Sequence, residues 1–355
     1  VTRPAVNSRS ARAEQAHRRA RRRVAGSVPA LVRTCVRGGA CAGALAGVLA
    51  LMGCQATQMG DRTWVSPARA APDVATMIER YNRNAERLSR VFIAAGDVRI
   101  RLVGSDGAER TEQAEFSMQM VAPSNLAIFI RKLSQTLFVL GCNQERYWWV
   151  DVSGDEKFVA TGLNSLAWRV KRGPTVGLRI RPTDIVRLIG AVPIAADGSG
   201  TADSPQARWS SDGKNAILTI PHRATDDQLS GDGAGDSEGV AFERITMDAT
   251  TGWPSRVELL DRAGVVIVES ELSAHGPVDI RASGAERPRL AQSVFIRHVP
   301  SGSELRLGFS EMSDGDEGGG RSRISPRAFD LEAVRKTMRA ERVIDLDAPT
   351  REAGE

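Results

Sequence analysis

The chain has 355 residues, 41% of them hydrophobic and 26% charged, which is enough to bury a sizeable core and too polar for a polytopic membrane protein. Its four Cys exclude a disulfide-stapled miniprotein. The 48 basic and 43 acidic residues give +5, but ten Arg and one Glu fall in residues 1–53; the rest carries 38 basic and 42 acidic residues, or −4, and this sets nucleic-acid binding aside.

Residues 1–53 read as a secretory signal. The run His17-Arg18-Arg19-Ala20-Arg21-Arg22-Arg23 is followed by an uncharged stretch, Gly38 to Gly53. Sixteen helical residues would span about 24 Å, short of the ~30 Å bilayer core. The stretch ends Leu51-Met52-Gly53-Cys54, which resembles the lipobox of bacterial lipoproteins. The resemblance implies cleavage before Cys54 and acylation of its sulfur and new amino group, anchoring the chain to a membrane. Met52 is bulkier than that family usually has. Gly39-Ala40-Cys41 is a competing site, without the upstream Leu, and the Arg triplet also invites a twin-arginine export reading. With Gln55 after the lipidated Cys, the enterobacterial sorting rule favours the periplasmic face of the outer membrane over the inner one. Once the signal is removed, Cys142 has no partner and is expected to be a small buried hydrophobe.

Residues 54–72 are polar and turn-rich, a tether. Asp73 opens a predicted helix in which Val74, Met77, Ile78, Tyr81, Ala85, Leu88 and Phe92 form one apolar face over 73–92, with Gly96 ending the segment. From Val98 the period becomes two. Five predicted strands follow in a meander: Val98–Leu102, Phe116–Met120, Leu126–Ile130, Thr136–Leu140 and Arg146–Val152. Pro182-Thr183-Asp184 begins a short helix closed by Gly190. Seven more strands are expected at 207–210, 216–220, 240–247, 255–260, 265–272, 290–298 and 304–309, with turns at Asp248–Gly252 and Asp261–Gly264. A final helix is expected to start at Ser325-Pro326 and carry Phe329, Val334 and Met338. The expected class is mainly β with flanking helices, an antiparallel sheet of about eleven to twelve strands.

This order of elements resembles the LolA/LolB group of lipoprotein carriers and receptors, most clearly over Val98 to Val152 ("FSMQMVAPSNLAIFIRK" and "LGCNQERYWWVD"). The resemblance implies an unclosed antiparallel β-barrel, lidded by helices, over residues 73–312, with a loop and C-terminal segment at 313–355. It also implies a non-catalytic envelope lipoprotein that binds acyl chains or other lipoproteins and localises or transports them. No functional residue of that group can be matched to a position here. The long Gly/Asp/Ser-rich loop 226–239 departs from its compact pattern. Independently of the name, a curved sheet must cover its concave face, and an acyl chain of a dozen methylenes could replace a covering helix with a gain of about 10 kcal/mol before ordering costs. Phe116, Met118, Met120, Ile128, Ile130 and Trp149 are the candidate lining; the alternative is that they are ordinary core beneath a helix. The competing functional readings are a protein-binding or sensory half-barrel without lipid cargo, and a hydrolase.

Catalytic and metal signals are weak. Gly235-Asp236-Ser237-Glu238-Gly239 matches the nucleophile elbow in letters but lacks its strand-before, helix-after context. His222, His275 and His298 show no metal-ligand spacing, and His222 and His275 are read as turn residues beside Pro221 and Gly276. The acidic loops around Asp232 and Asp314 lack the pattern of a calcium loop. No cofactor, metal or catalytic residue is assigned.

Overall fold

The computed structural model describes residues 70–103, 107–164, 180–195, 204–222, 240–280, 287–315 and 324–347. They belong to one compact unit, Ser66–Glu355. The expected signal segment, Cys54, most of the expected tether and the Gly235–Gly239 motif lie outside the described residues. Among the described residues no helix is long and apolar enough to cross a membrane.

Helix α1 spans Val74–Ala85. Asp73 caps it, its carboxylate accepting from the Thr76 N–H at 2.8 Å, so one of the orphan donors of the first turn is satisfied. A 3₁₀ turn, Glu86–Leu88, follows, and strand β1 starts at Arg90. The predicted helix therefore stops short of Phe92. β1 runs Arg90–Val103, and Phe92 points to the face opposite α1, where it packs with Ile324, Ala328 and Phe329. Val91 and Ile93, buried on the α1 side, show why: the run alternates once pairing with neighbouring strands outweighs helical spacing. Gly96 ends nothing. It lies mid-strand, just after a register shift, where an added Cβ would come within 2.4 Å of the Phe116 ring and 2.6 Å of the Gly308 carbonyl.

The first meander continues through β2 (Glu109–Val121), β3 (Asn125–Lys132), β4 (Gln135–Cys142), β5 (Arg146–Asp151) and β6 (Phe158–Leu163). Helix α2 (Pro182–Leu188) follows, with Pro at its start and Gly190 at φ 74° just beyond its end. The second meander is β7 (Gln206–Trp209), β8 (Asn215–Pro221), β9 (Phe242–Asp248), β10 (Pro254–Leu260), β11 (Val266–Pro277), β12 (Arg289–His298) and β13 (Ser303–Ser313). A 3₁₀ turn (Pro326–Phe329), helix α3 (Leu331–Met338) and β14 (Arg342–Asp345) complete the order. The C-terminal helix expected from Ser325 thus divides in two, because Asp330 caps a new start by accepting from the Glu332 N–H at 2.9 Å.

Among the described residues fourteen strands form one unclosed sheet, β14-β6-β5-β4-β3-β2-β1-β13-β12-β11-β10-β9-β8-β7. Every pairing is antiparallel except β14 with β6. The twelve expected strands are present, joined by β6 and β14. The sheet curls. Helix α2, about 10 Å long, packs on β3, β4 and β5 and also on β10, which a flat sheet would set about 29 Å from β3. One apolar cluster correspondingly draws on β1–β6, β8–β13, α1 and α2, and fills the concave side. On the outer side Val139, Trp148, Val150 and Val159 pack under Val334 and Ala340 of the C-terminal segment.

Candidate functional site

The concave side is the candidate site. From β2 it receives Phe116, Met118 and Met120, from β3 Leu126, Ile128 and Ile130, from β4 Leu140 and Cys142, and from β5 Tyr147 and Trp149. Opposite them α1 and its 3₁₀ turn present Met77, Ile78, Tyr81, Ala85 and Leu88. All six candidate lining residues belong to this single cluster: Met118 and Met120 are 0% exposed, Phe116 and Ile130 2%, Ile128 1% and Trp149 8%. The period-two pattern put them on one face, and pairing of Met118 with Ile128 and of Phe116 with Ile130 makes that face continuous. Phe116 reaches over Gly96 to Phe309 of β13, ring centroids 5.8 Å apart and edge to face, which joins the two meanders across the seam.

Helix α1 is also tied at its sides to neighbouring backbone. Asn82 donates to the Ile194 carbonyl at 2.7 Å and accepts from the Ile194 N–H at 2.8 Å. Asn84 makes the same two-way pair with Arg289, at 2.9 and 2.8 Å. Arg80 donates to the Ala249 carbonyl. Below these ties the underside of the helix is apolar apart from Tyr81.

Polar groups on the concave side are few. Ser270 of β11 is fully buried and donates to the Leu188 carbonyl at 2.6 Å, satisfying the end of α2. Arg181 and Asp184 form a two-pronged pair at 2.7 and 2.8 Å within α2's first turn. Arg187 of α2 meets Glu243 of β9 at 3.3 Å and His222, at the end of β8, at 3.2 Å. Glu243 also lies 3.4 Å from His222. The Tyr81 hydroxyl is buried and without a hydrogen-bond partner. Burial drives its phenol above its usual range, and the nearby Glu243 carboxylate adds to this while Arg187 opposes it.

The remaining sequence candidates fall elsewhere. Cys142 is buried and unbridged, its thiol donating to the Ser124 carbonyl at 3.0 Å, and burial pushes its pKa far up, so it is inert. His275 is not a turn residue. It sits in β11, stacked on Trp253 with centroids 5.7 Å apart, and burial lowers its pKa, so it is a neutral packing group. His298 accepts from the Ser301 N–H at 3.2 Å in a hairpin turn. Among the described residues no group of three or more His, Cys, Asp or Glu is arranged to hold a metal ion. The Arg187–Glu243–His222 group was missed because its members are far apart in sequence. Glu243 alone carried a signal: it shares parity with Ile245 and Met247, so the alternation of β9 already put a carboxylate on the apolar face.

Comparison with solved structures finds similar folds at low identity. A LolA-superfamily protein from Nitrosomonas europaea is 16% identical with a TM-score of 0.39, covering 68% of this chain and 93% of its own. A putative outer-membrane lipoprotein-sorting protein domain from Vibrio parahaemolyticus is 10% identical with a TM-score of 0.43, covering 73% and 97%. A DUF1329-family protein from Desulfovibrio piger is 12% identical with a TM-score of 0.44, covering 73% and 98%. The described residues themselves form one open, mostly antiparallel sheet with flanking helices. No family model and no curated protein matches the sequence.

Proposed function

We propose that this protein is a non-catalytic envelope lipoprotein, anchored through lipidated Cys54 at the periplasmic face of the outer membrane, that takes acyl chains or other lipoproteins between its concave sheet and α1. The observation that carries the reading is the pairing of a continuous apolar concave face with a cover whose hydrophobic contribution a lipid can match. Met77, Ile78, Tyr81 and Leu88 are the large residues that α1 and its turn bury there. At about 1.5–3 kcal/mol each they contribute roughly 6–12 kcal/mol. One acyl chain of a dozen methylenes, at about 0.8 kcal/mol each, contributes about the same. Helix face and acyl chain are therefore exchangeable, and the cost of exchange falls on the polar ties of Arg80, Asn82 and Asn84, about 1 kcal/mol per hydrogen bond. Met118 and Met120 at the centre suit a face that must repack around an irregular chain.

The test uses the Cys54→Ser protein purified without detergent. It should carry lipid seen by mass spectrometry and, once stripped, bind a fluorescent fatty acid; clean protein that binds none removes the cargo reading. In cells the same substitution should release the protein from membranes and abolish incorporation of labelled palmitate. Persistent labelling would show that acylation occurs at another residue.

A further inference from the structure

Two of the side ties on α1 lead to a single stack of side chains. Asn84 exchanges hydrogen bonds with the backbone of Arg289, at the start of β12. Arg80 donates to the Ala249 carbonyl in the β9–β10 turn, and the same turn packs its backbone on the helix: at Gly252, φ 73°, an added Cβ would come within 2.7 Å of the Arg80 carbonyl carbon. The next residue, Trp253, joins the two anchorages. The Arg289 guanidinium lies 4.9 Å over its ring, and the His275 imidazole of β11 stacks on it at 5.7 Å and 21°. Arg289 also donates through Nη1 to the His275 carbonyl at 3.1 Å. This stack is built around a neutral imidazole. His275 Nε2 is buried and has no hydrogen-bond partner. A protonated imidazole carries an N–H on each nitrogen, so Nε2 would become a buried donor with nothing to accept it, whichever tautomer the neutral ring holds. Burial holds the imidazole below its ordinary 6.5, and the Arg289 charge adds to this against the Pro254 backbone. The other neighbours offer no counter-charge: Trp253, Pro254 and the cross-strand Ala291 do not titrate, and α1 reaches the stack through an amide, Asn84, and a second cation, Arg80. Ala274, just before His275, takes φ 55° and drops out of the β11–β12 ladder, a conformation alanine holds only where its surroundings impose it.

We infer that the Arg289–Trp253–His275 stack is an acid-sensitive latch on α1, closed while His275 is neutral and opened when it is protonated. A charged His275 must bring its Nε2–H to water and its charge away from Arg289. Trp253 then shifts with the turn that grips Arg80, and Arg289 with the backbone that holds Asn84, so two side ties of α1 loosen together. The tie of Asn82 to Ile194 remains. The latch belongs to the fold and acts on the cover of the concave face whatever that face binds. Its direction follows from linkage: a base held below its ordinary pKa in the closed state takes its proton more readily in the open one, so opening gains as pH falls through 6.5. With an open-state pKa of about 6.5 and a closed state that stays neutral, opening increases by at most about tenfold between about pH 7.5 and 5.5.

The experiment follows hydrogen exchange of the Cys54→Ser protein by mass spectrometry at about pH 7.5 and 5.5, with rates corrected for the intrinsic effect of pH. No ligand is added, so the outcome is separate from that of the acyl-binding test. Peptides covering α1 should exchange about three- to tenfold faster in acid, and those covering β3 should not change. In His275→Gln and His275→Phe, neither of which titrates, α1 should exchange equally at both pH values, and one folded variant is enough to read this. Trp253→Leu keeps the imidazole and removes the stack, so α1 should exchange fast at both pH values. A parent without pH dependence overturns the latch. So does the same acceleration in a folded His275 variant, which would assign it to another group, and so does acceleration of β3 in step with α1, which would be loosening of the whole domain. A Trp253→Leu protein with the parent's slow exchange at neutral pH overturns it as well.

Discussion

Over β3–β6 the outer face of the sheet carries Phe129, Val139, Trp148, Val150 and Val159 and is roofed by the C-terminal segment from Ile324 to Ala340. Over β9–β13 the same face carries a lattice of opposite charges open to solvent. Arg244 pairs with Glu258 at 3.3 Å, Arg256 bridges Glu258 and Glu269, Arg297 closes on Glu269, and Arg306 lies 4.5 Å over the Phe295 ring. Glu258 and Glu269 are each 6% exposed, and each is paired with two arginines. Both halves share the concave core, so the difference separates what burial on two sides contributes from what a paired polar surface contributes. Strands with two apolar faces need a roof; strands with one apolar face need only compatible charges.

That contrast can be broken by substitution. The largest effect is expected at Trp148→Ala, which empties the space between the sheet and the roof and should cost about 3–5 kcal/mol in urea unfolding. Val334→Ala, on the roof itself, should cost about 2 kcal/mol by the same measurement. If either behaves like a surface change, the roof is not part of the fold. On the charged half the effects should be smaller and depend on pH. Burial alone would raise the Glu269 carboxyl, but hydrogen bonds and charge from Arg256 and Arg297 outweigh it and hold it below its ordinary 4.5. A carboxyl lowered on folding stabilises above its unfolded pKa and loses that contribution as pH falls through the folded value. The stability difference between the parent and Glu269→Gln should therefore be full at pH 7 and vanish in acid below pH 4.5. A difference that persists unchanged in acid would mean that the charge plays no part. The smallest effect is expected at Arg306→Ala, within about 1 kcal/mol, because an exposed cation over a half-buried ring at the surface is weakly held.

The sequence showed this division unevenly. Alternation in β10–β12 displays the inner face plainly, with Val257 and Leu259 against Glu258, and Val294 and Ile296 against Phe295 and Arg297. The apolar run of β5, from Tyr147 to Val150, has no polar side, and it signals a strand covered on both faces. The cover itself was not legible. Residues after 313 read as a loop with one helix, because the 3₁₀ turn at Pro326–Phe329 and the four-residue β14 are too short to carry a period, and β14 pairs in parallel with a strand far upstream. β6 escaped notice for a related reason: Ala160 and Gly162 give it little hydrophobic weight. That the six candidate residues share one buried face was legible from parity. The Arg187–Glu243–His222 group was not, since its members come from α2, β9 and the end of β8, far apart in sequence.

The pairing of β1 with β13 sets a timetable for the growing chain. Val98 finds Leu307, and Ile100 finds Leu305, only after nearly all the intervening sequence has been delivered. Until then the first meander has β2 on one side of β1 and bare backbone on the other, a sticky edge held open while the second meander is still arriving. A protein so ordered completes its middle last, and for most of its delivery its greasy inner surface stays half exposed.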